Sequence, residues 1–259
     1  MEHSRFVHLH CHTEYSLLDG ANKVDKLFER IQALKQPAVA MTDHGNMFGA
    51  VEFYREALSH GIKPIIGCEI YVAPTSRFEK KGVDKGPKEY NNHLILLAMN
   101  NVGYRNLCKL VSLGYMEGFY YKPRIDKELL KGLNGGLIAL SACLQGEVSQ
   151  ALNYGIYEKA KAAAETYASI FGDRYYIEIQ DNKLAEQEKV NRQLVELAKE
   201  LSIPVVATND CHYGERADFH AHDVLLCVQT GKTVADDNRL KLETDELYLK
   251  SVDEMVHGF

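Results

Sequence analysis

The chain has 259 residues, of which 46% are hydrophobic and 25% charged, and its formal net charge is −6. That much apolar sequence can bury one large core, which excludes a disordered polyelectrolyte, and the acidic balance leaves any affinity for a polyanion such as DNA to a local basic patch or to bound cations. The apolar runs at 94–98 and 204–207 fall far short of the roughly 20 residues that cross a bilayer, and MEHSRFVHLH lacks the basic-then-apolar order of a signal peptide. A soluble cytoplasmic protein with no membrane contact is expected.

Taken in chain order, FVHLH at 6–10 reads as a strand, VDKLFERIQAL at 24–34 as an amphipathic helix and PAVAMTD at 37–43 as a strand. A helix at 50–61 ending on Gly61 and the strand KPIIGCEIYVA at 63–73 follow. Residues 74–91, PTSRFEKKGVDKGPKEYN, are rich in Lys, Gly and Pro and read as a mobile insertion rather than a domain linker. Beyond them come strands at 93–100, 136–142, 175–180 and 204–210 and helices at 104–115, 157–171 and 187–202. The spacing of Leu247, Leu249 and Met255 indicates a further strand and the start of a helix.

Seven apolar strands alternating with helices predict an α/β fold with a parallel, helix-covered sheet. No GxGxxG turn follows the first strand, so a distorted (βα)7 barrel, similar to a TIM barrel, is expected in place of a doubly wound sheet. The simplest organisation is a single domain over 1–259. Such a barrel presents its functional side chains at the carboxyl ends of the strands.

The chemistry-bearing residues fall at those ends. HLHCHTEYSLLDG sets His8, His10 and His12 two residues apart, and alternate residues share a face of a strand, so two of the imidazoles can converge on one ion. TDHG supplies Asp43 and His44, GCE supplies Glu69, and TNDCH supplies Asp210 and His212. Any one of these short motifs also occurs as a cap or turn; their recurrence after several strands is the signal.

Six cysteines (Cys11, Cys68, Cys108, Cys143, Cys211, Cys227) include no CxxC pair, which argues against a disulfide framework or a zinc finger. Cys11 and Cys211 alternate with the histidines and should point into packing. Cys143 follows a strand at the functional rim, where it is either a ligand or a small rim residue. His93 begins its strand instead of ending it, against the barrel rule, and His220 and His222 read as a helical turn at the surface.

At these motifs the sequence resembles the PHP (polymerase and histidinol phosphatase) superfamily and, within it, the N-terminal PHP domain of bacterial replicative DNA polymerases. The resemblance covers nearly the whole chain and extends past the metal motifs into GIKPIIGCEIYV, HLILLAMNNVGYRNLCKLVS, LSACLQGEV and VQTGKTVADDNRL. It implies a trinuclear centre with nine ligand positions. His10, His12, Glu69 and Asp210 resemble the ligands of a first ion; Glu69 would bridge to a second ion with His93 and Cys143; Asp19, His44 and His212 resemble the third set. Asp19, otherwise a turn residue in LLDG, and His93 gain ligand status only from the resemblance, which also selects His10 and His12 over His8.

Three divalent ions on such donors, zinc first with manganese or iron also compatible, would acidify a shared water and neutralise phosphoryl charge. The expected activity is therefore that of a metal-dependent phosphoesterase, a 3′–5′ exonuclease proofreading a DNA 3′ primer end or single strand, with Glu69, Asp210 and His12 central to catalysis. In GFYYKPRID, Tyr120, Tyr121, Lys122 and Arg124 form either a platform for bases and phosphates or a loop packed on a neighbouring helix. Two alternatives stand: a structural platform for the remaining polymerase domains and a proofreading exonuclease subunit, and a pyrophosphatase or small-molecule phosphatase. The chain is expected to be a fragment of a longer polymerase, with polymerase activity only in that parent.

Overall fold

The structure is a computed structural model describing residues 3–80 and 91–259. Seven strands, β1 (Ala38–Met41), β2 (Lys63–Val72), β3 (Asn92–Ala98), β4 (Arg124–Ile125), β5 (Leu137–Leu140), β6 (Tyr175–Gln180) and β7 (Val205–Thr208), form one sheet. Its order is β1-β2-β3-β5-β6-β7, with β4 beside the end of β2. Helices α1 (Val24–Ala33), α2 (Ala50–Ser59), α3 (Asn101–Met116), α4 (Lys127–Leu133), α5 (Glu147–Asn153), α6 (Tyr157–Phe171), α7 (Ala185–Leu201), α8 (Phe219–Thr230) and α9 (Val252–Gly258) complete the fold. None of the described helices is long and apolar enough to cross a membrane.

The sheet curls into a distorted barrel, and residues 8–12 close it without being a regular strand. The amides of Ala40 and Thr42 donate to the His8 and Cys11 carbonyls at 2.9 and 2.8 Å. On the other side, the Cys211 amide donates to the His10 carbonyl at 3.1 Å and the His12 amide to the Cys211 carbonyl at 2.8 Å. The Cys11 amide is taken by the Thr42 hydroxyl at 2.8 Å, which interrupts the ladder and explains why the expected first strand is only a seam. Cys11 and Cys211 face each other across this seam, both fully buried.

The expectation of an all-parallel sheet fails at one strand. β3 runs antiparallel to both β2 and β5, whereas β1–β2, β2–β4, β5–β6 and β6–β7 are parallel. A parallel neighbour needs a crossover, usually helical. The described residues between β2 and β3 contain no helix, so the chain re-enters the sheet from the same mouth by which it left.

Side-chain alternation divides the core. Cys68, Ile70, Leu94, Leu96, Leu137 and Ala139 pack outward under helices, whereas their strand neighbours Ile95, Leu97 and Leu140 join Ala40 of β1 in a smaller cluster. Truncating a fully buried outward residue such as Leu96 to Ala would cost about 2–5 kcal/mol. α3 begins on Asn100, whose side chain accepts from the amides of Val102 and Gly103 at 2.9 and 3.1 Å. Gly103 must be glycine, since a Cβ there would sit 1.8 Å from the Gly136 carbonyl oxygen.

Of the expected mobile insertion at 74–91, residues 81–90 lie outside the described residues. The arm before them is anchored: Arg77 is 9% exposed, and its guanidinium meets Asp126 at 2.9 Å and Glu117 at 2.6 Å. Asp126 also caps α4 through the Leu129 amide at 3.1 Å. Helices α4 and α5, seven residues each, were too short to show helical periodicity in the sequence.

Candidate metal centre

All nine residues carried over from the family resemblance converge at one mouth of the barrel, each delivered by a different local device. The main chain beyond β1 runs beside β2, with the Gly45 amide donating to the Glu69 carbonyl at 2.7 Å, and this sets His44 against Glu69. His93, the second residue of β3, reaches the same rim because that strand is reversed; its amide donates to the Gln145 carbonyl at 3.0 Å, which ties it to the Cys143 loop. Left-handed backbone recurs here: Leu18 precedes Asp19, Ala142 precedes Cys143, and Asp210 itself has φ +50°. Such conformations are uncommon for residues other than glycine and collect where a site imposes direction on a side chain.

Glu69 is the hub. One of its oxygens, Oε1, lies 2.6 Å from His44 Nδ1 and 2.7 Å from His93 Nδ1, while Oε2 lies 2.9 Å from His10 Nε2 and 3.8 Å from His12 Nε2. Asp210 Oδ1 approaches His10 Nε2 and His12 Nε2 at 3.0 and 3.2 Å. Asp19 lies 3.0 Å from His44 Nε2 and 3.9 Å from His212 Nε2. Cys143 Sγ is 3.8 Å from His93 Nδ1. Among the described residues three donor groups gather within 4.8 Å: His10, His12, Glu69 and Asp210; His44, Glu69 and His93; and His12, His44 and His212.

The protonation pattern shows what such donors need. His10 Nδ1 faces Glu178 Oε1 at 2.7 Å and His12 Nδ1 faces the Ser16 hydroxyl at 3.0 Å, an oxygen that itself donates to Asp43. In the neutral rings these contacts place the proton on Nδ1, so that the two Nε2 atoms, 3.2 Å apart and facing two carboxylates, are the free ligand atoms. Asp210 Oδ1 is buried with no hydrogen-bond donor assigned to it among the described residues, in spite of its close neighbours. Lone pairs converging in this way are satisfied by a cation, so the donors fit divalent ions.

Protons are the other means of relief. Burial alone would lower the His10 pKa, but the Asp210 and Glu178 carboxylates raise it well above 6.5. Burial also opposes protonation of His44, which Glu69 and Asp19 raise to about 10. Burial disfavours the charged form of Glu69, yet the facing His93 and His44 hold its carboxyl well below the usual range. Asp210 follows the same balance, with burial overcome by His10 and His212.

Several residues differ from their sequence expectation. His222 is not at the surface: it is fully buried, and its Nε2 donates to the Asp19 carbonyl at 2.7 Å, so α8 braces the loop carrying Asp19. His220 is exposed. Asp43 faces away from the donors and binds the Thr13 amide and hydroxyl at 2.7 and 2.8 Å. His8 is also set aside, its Nε2 on the Lys250 carbonyl at 2.9 Å.

The 118–126 loop splits. Arg124 is 2% exposed, with Nε and Nη2 donating to the Gly118 and Glu79 carbonyls at 3.1 and 2.9 Å, so it does not face solvent as a phosphate grip. Tyr121 is 80% exposed, and Lys122 lies over the Tyr71 ring, 5.4 Å from its centre, beside His93 and His44. Glu178, which sequence reasoning missed, accepts from Gln180 Nε2 at 2.9 Å and from Thr208 as well as facing His10. A fully buried glutamate inside the apolar run YYIEIQ was the available signal.

Residues 8–182 match the PHP domain family. The DNA polymerase III subunit alpha of Treponema pallidum is 51% identical over 260 residues, covering 100% of this chain. The subunit of the same name from Borreliella burgdorferi is 47% identical over 99% of the chain, and that from Thermus aquaticus 49% identical over 97%. The chain spans only 22%, 22% and 21% of those three relatives. Among solved structures, a two-domain protein from Bacteroides vulgatus with a PHP-like domain aligns over 97% of this chain and 62% of its own, at 13% identity and a TM-score of 0.48, too distant a likeness to bear on function. The match over residues 8–182, with close to half of all positions shared with these subunits along the full chain, makes this chain a member of the PHP domain family.

Proposed function

We propose that the chain is a metal-dependent phosphoesterase domain of a bacterial replicative DNA polymerase, acting as a 3′–5′ exonuclease on a DNA primer end in the cytoplasm. The observation that carries this reading is the convergence of imidazole nitrogens on the Glu69 and Asp210 carboxylates at the barrel mouth. His10, His12, Glu69 and Asp210 would hold one divalent ion, Glu69, His93 and Cys143 a second, and Asp19, His44 and His212 a third, with zinc the first choice and manganese or iron alternatives. Ions held there supply an acidified water as nucleophile and positive charge against a phosphoryl group.

The protein's own residues set the conditions. Glu178 and Ser16 keep His10 and His12 in the tautomer that presents Nε2. Burial of Glu69 and Asp210 keeps their charge from being screened by solvent. The exposed Tyr121 and the neighbouring Lys122 lie where an incoming single strand could stack and pair. Partners on this reading are DNA, the rest of the polymerase subunit and a separate proofreading exonuclease subunit.

The test is shortening of a primer with a 3′ overhang, with and without chelator, alongside elemental analysis. Chelator-sensitive loss from the 3′ end that disappears in Asp210→Ala supports the reading. Bound metal with no hydrolysis of DNA or of simple phosphate esters would reject catalysis and leave a structural role for the ions, because metal binding energy contributes to folding when the site is absent from the unfolded chain.

A further inference from the structure

The cleft of about 280 Å³ above the donor cluster has a lining that phosphate chemistry alone does not explain. Six leucines wall it: Leu144, Leu184, Leu226, Leu240, Leu242 and Leu247. Among the described residues no lysine or arginine lines it, so the positive charge available to a bound phosphate is whatever the cluster holds. An inorganic polyanion would bring nothing to cover the leucines. A ligand with a flat, weakly hydrated organic part would remove them from water.

Two amides on the same wall point to a hydrogen-bonding ligand. Gln180 and Gln187 are 1% and 2% exposed, and each spends its nitrogen inside the protein, on Glu178 Oε1 at 2.9 Å and on Asn191 Oδ1 at 2.8 Å. Their carbonyl oxygens are buried and have no donor among the described residues. Buried acceptors are normally paired, so a donor from a ligand, reached by a small rotation of the amide, would relieve both. At about 280 Å³ the cleft lies just below the roughly 300–1,000 Å³ range of ligand pockets, a size that suits a single nucleotide unit.

We propose that this cleft is a subsite for a single nucleoside unit, with its phosphoryl group at the donor cluster, its base against the leucines and a base amino or sugar hydroxyl group donating to Gln187 and Gln180. This rests on the phosphoesterase reading for the position of the phosphate and deepens it by assigning the residues that receive the nucleoside. It separates a nucleotidyl ester, which has a base to bury, from pyrophosphate and small sugar phosphates, which have none. Gln187 is the cleaner reporter, because Gln180 also touches Glu178.

The test is calorimetric binding to the manganese-loaded chain of deoxyribonucleoside monophosphates, 2-deoxyribose 5-phosphate and inorganic pyrophosphate. The nucleotides should bind about tenfold or more tightly than the abasic sugar phosphate, the gain expected from burying a base. Leu240→Ser, at a half-exposed position where folding is not at stake, and Gln187→Leu should each erase most of that preference while metal content and pyrophosphate affinity stay unchanged. Equal affinity for nucleotide and abasic sugar phosphate, or a preference that both variants retain, would overturn the subsite. Base-dependent binding without hydrolysis would sink the phosphoesterase reading and leave the subsite standing. Hydrolysis of phosphate esters with no base preference would do the reverse.

Discussion

His93 Nδ1 lies 2.7 Å from Glu69 Oε1 although Glu69 falls in the second half of β2 and His93 at the start of β3, because the antiparallel pairing of the two strands sets Tyr71 opposite His93 and brings the start of β3 to the rim where β2 finishes. Glu69 touches His10 and His44 as well, so one carboxylate belongs to more than one donor group. Glu69→Gln keeps the shape and removes the charge. Elemental analysis should then show loss of more than a single ion per chain, whereas Cys143→Ser, at the edge of the cluster, should affect one ion at most. Equal losses in the two variants would contradict the shared role of Glu69.

Glu178 tests the outer layer of the same centre. It orients His10 without belonging to a donor group, so Glu178→Gln should fold and lower metal affinity about 10–100-fold, as for other outer carboxylates on ligand histidines. Chelator competition measures this directly. An unchanged affinity would mean that Gln180 and Thr208, and not His10, are what Glu178 serves.

What could be read from the sequence follows from what is periodic or local. β1, β2, β3, β5, β6 and β7 were visible as apolar runs, and His10, His12, His44, Glu69, Asp210 and His212 stood out because each closes or follows an apolar run. The reversal of β3 was not legible, since an apolar run has no direction, and His93 therefore looked misplaced. His222 was read as a surface residue because HAH in a helix gives no sign of which side is covered; only the packing of α8 against the Asp19 loop decides it. For Arg124 the sequence left a phosphate platform and a packed loop both open, because residue type says nothing about which carbonyls fold over a guanidinium.

The two halves of the 118–126 loop should respond differently to substitution. Arg124→Ala leaves the Gly118 and Glu79 carbonyls without their donor and should lower stability by about 1–3 kcal/mol in urea titrations, with little change in affinity for single-stranded DNA. Tyr121→Ala should be nearly neutral for stability, being 80% exposed, and should weaken single-strand binding by about 1–3 kcal/mol if a base stacks there. Fluorescence anisotropy with an oligonucleotide measures both. Unchanged binding in Tyr121→Ala and also in Lys122→Ala would remove the loop from the DNA path.

His8 supplies a pH dependence separable from the metal centre. Burial lowers its pKa from 6.5 to about 4, although the hydrogen bond to the Lys250 carbonyl pulls the other way. The folded protein therefore keeps this ring neutral in a range where the unfolded chain protonates it. Its contribution is complete above about pH 6.5 and is lost as the pH falls towards 4, amounting to about 3 kcal/mol across that window. Acid also titrates the ligand histidines, so the informative quantity is the stability difference between wild type and His8→Gln, in which the amide can still donate to Lys250. That difference should shrink steadily from pH 7 to pH 4.5 in denaturant titrations. A difference constant with pH would mean that His8 is solvated or charged in the folded state, and the seam at residues 8–12 would then be open to water.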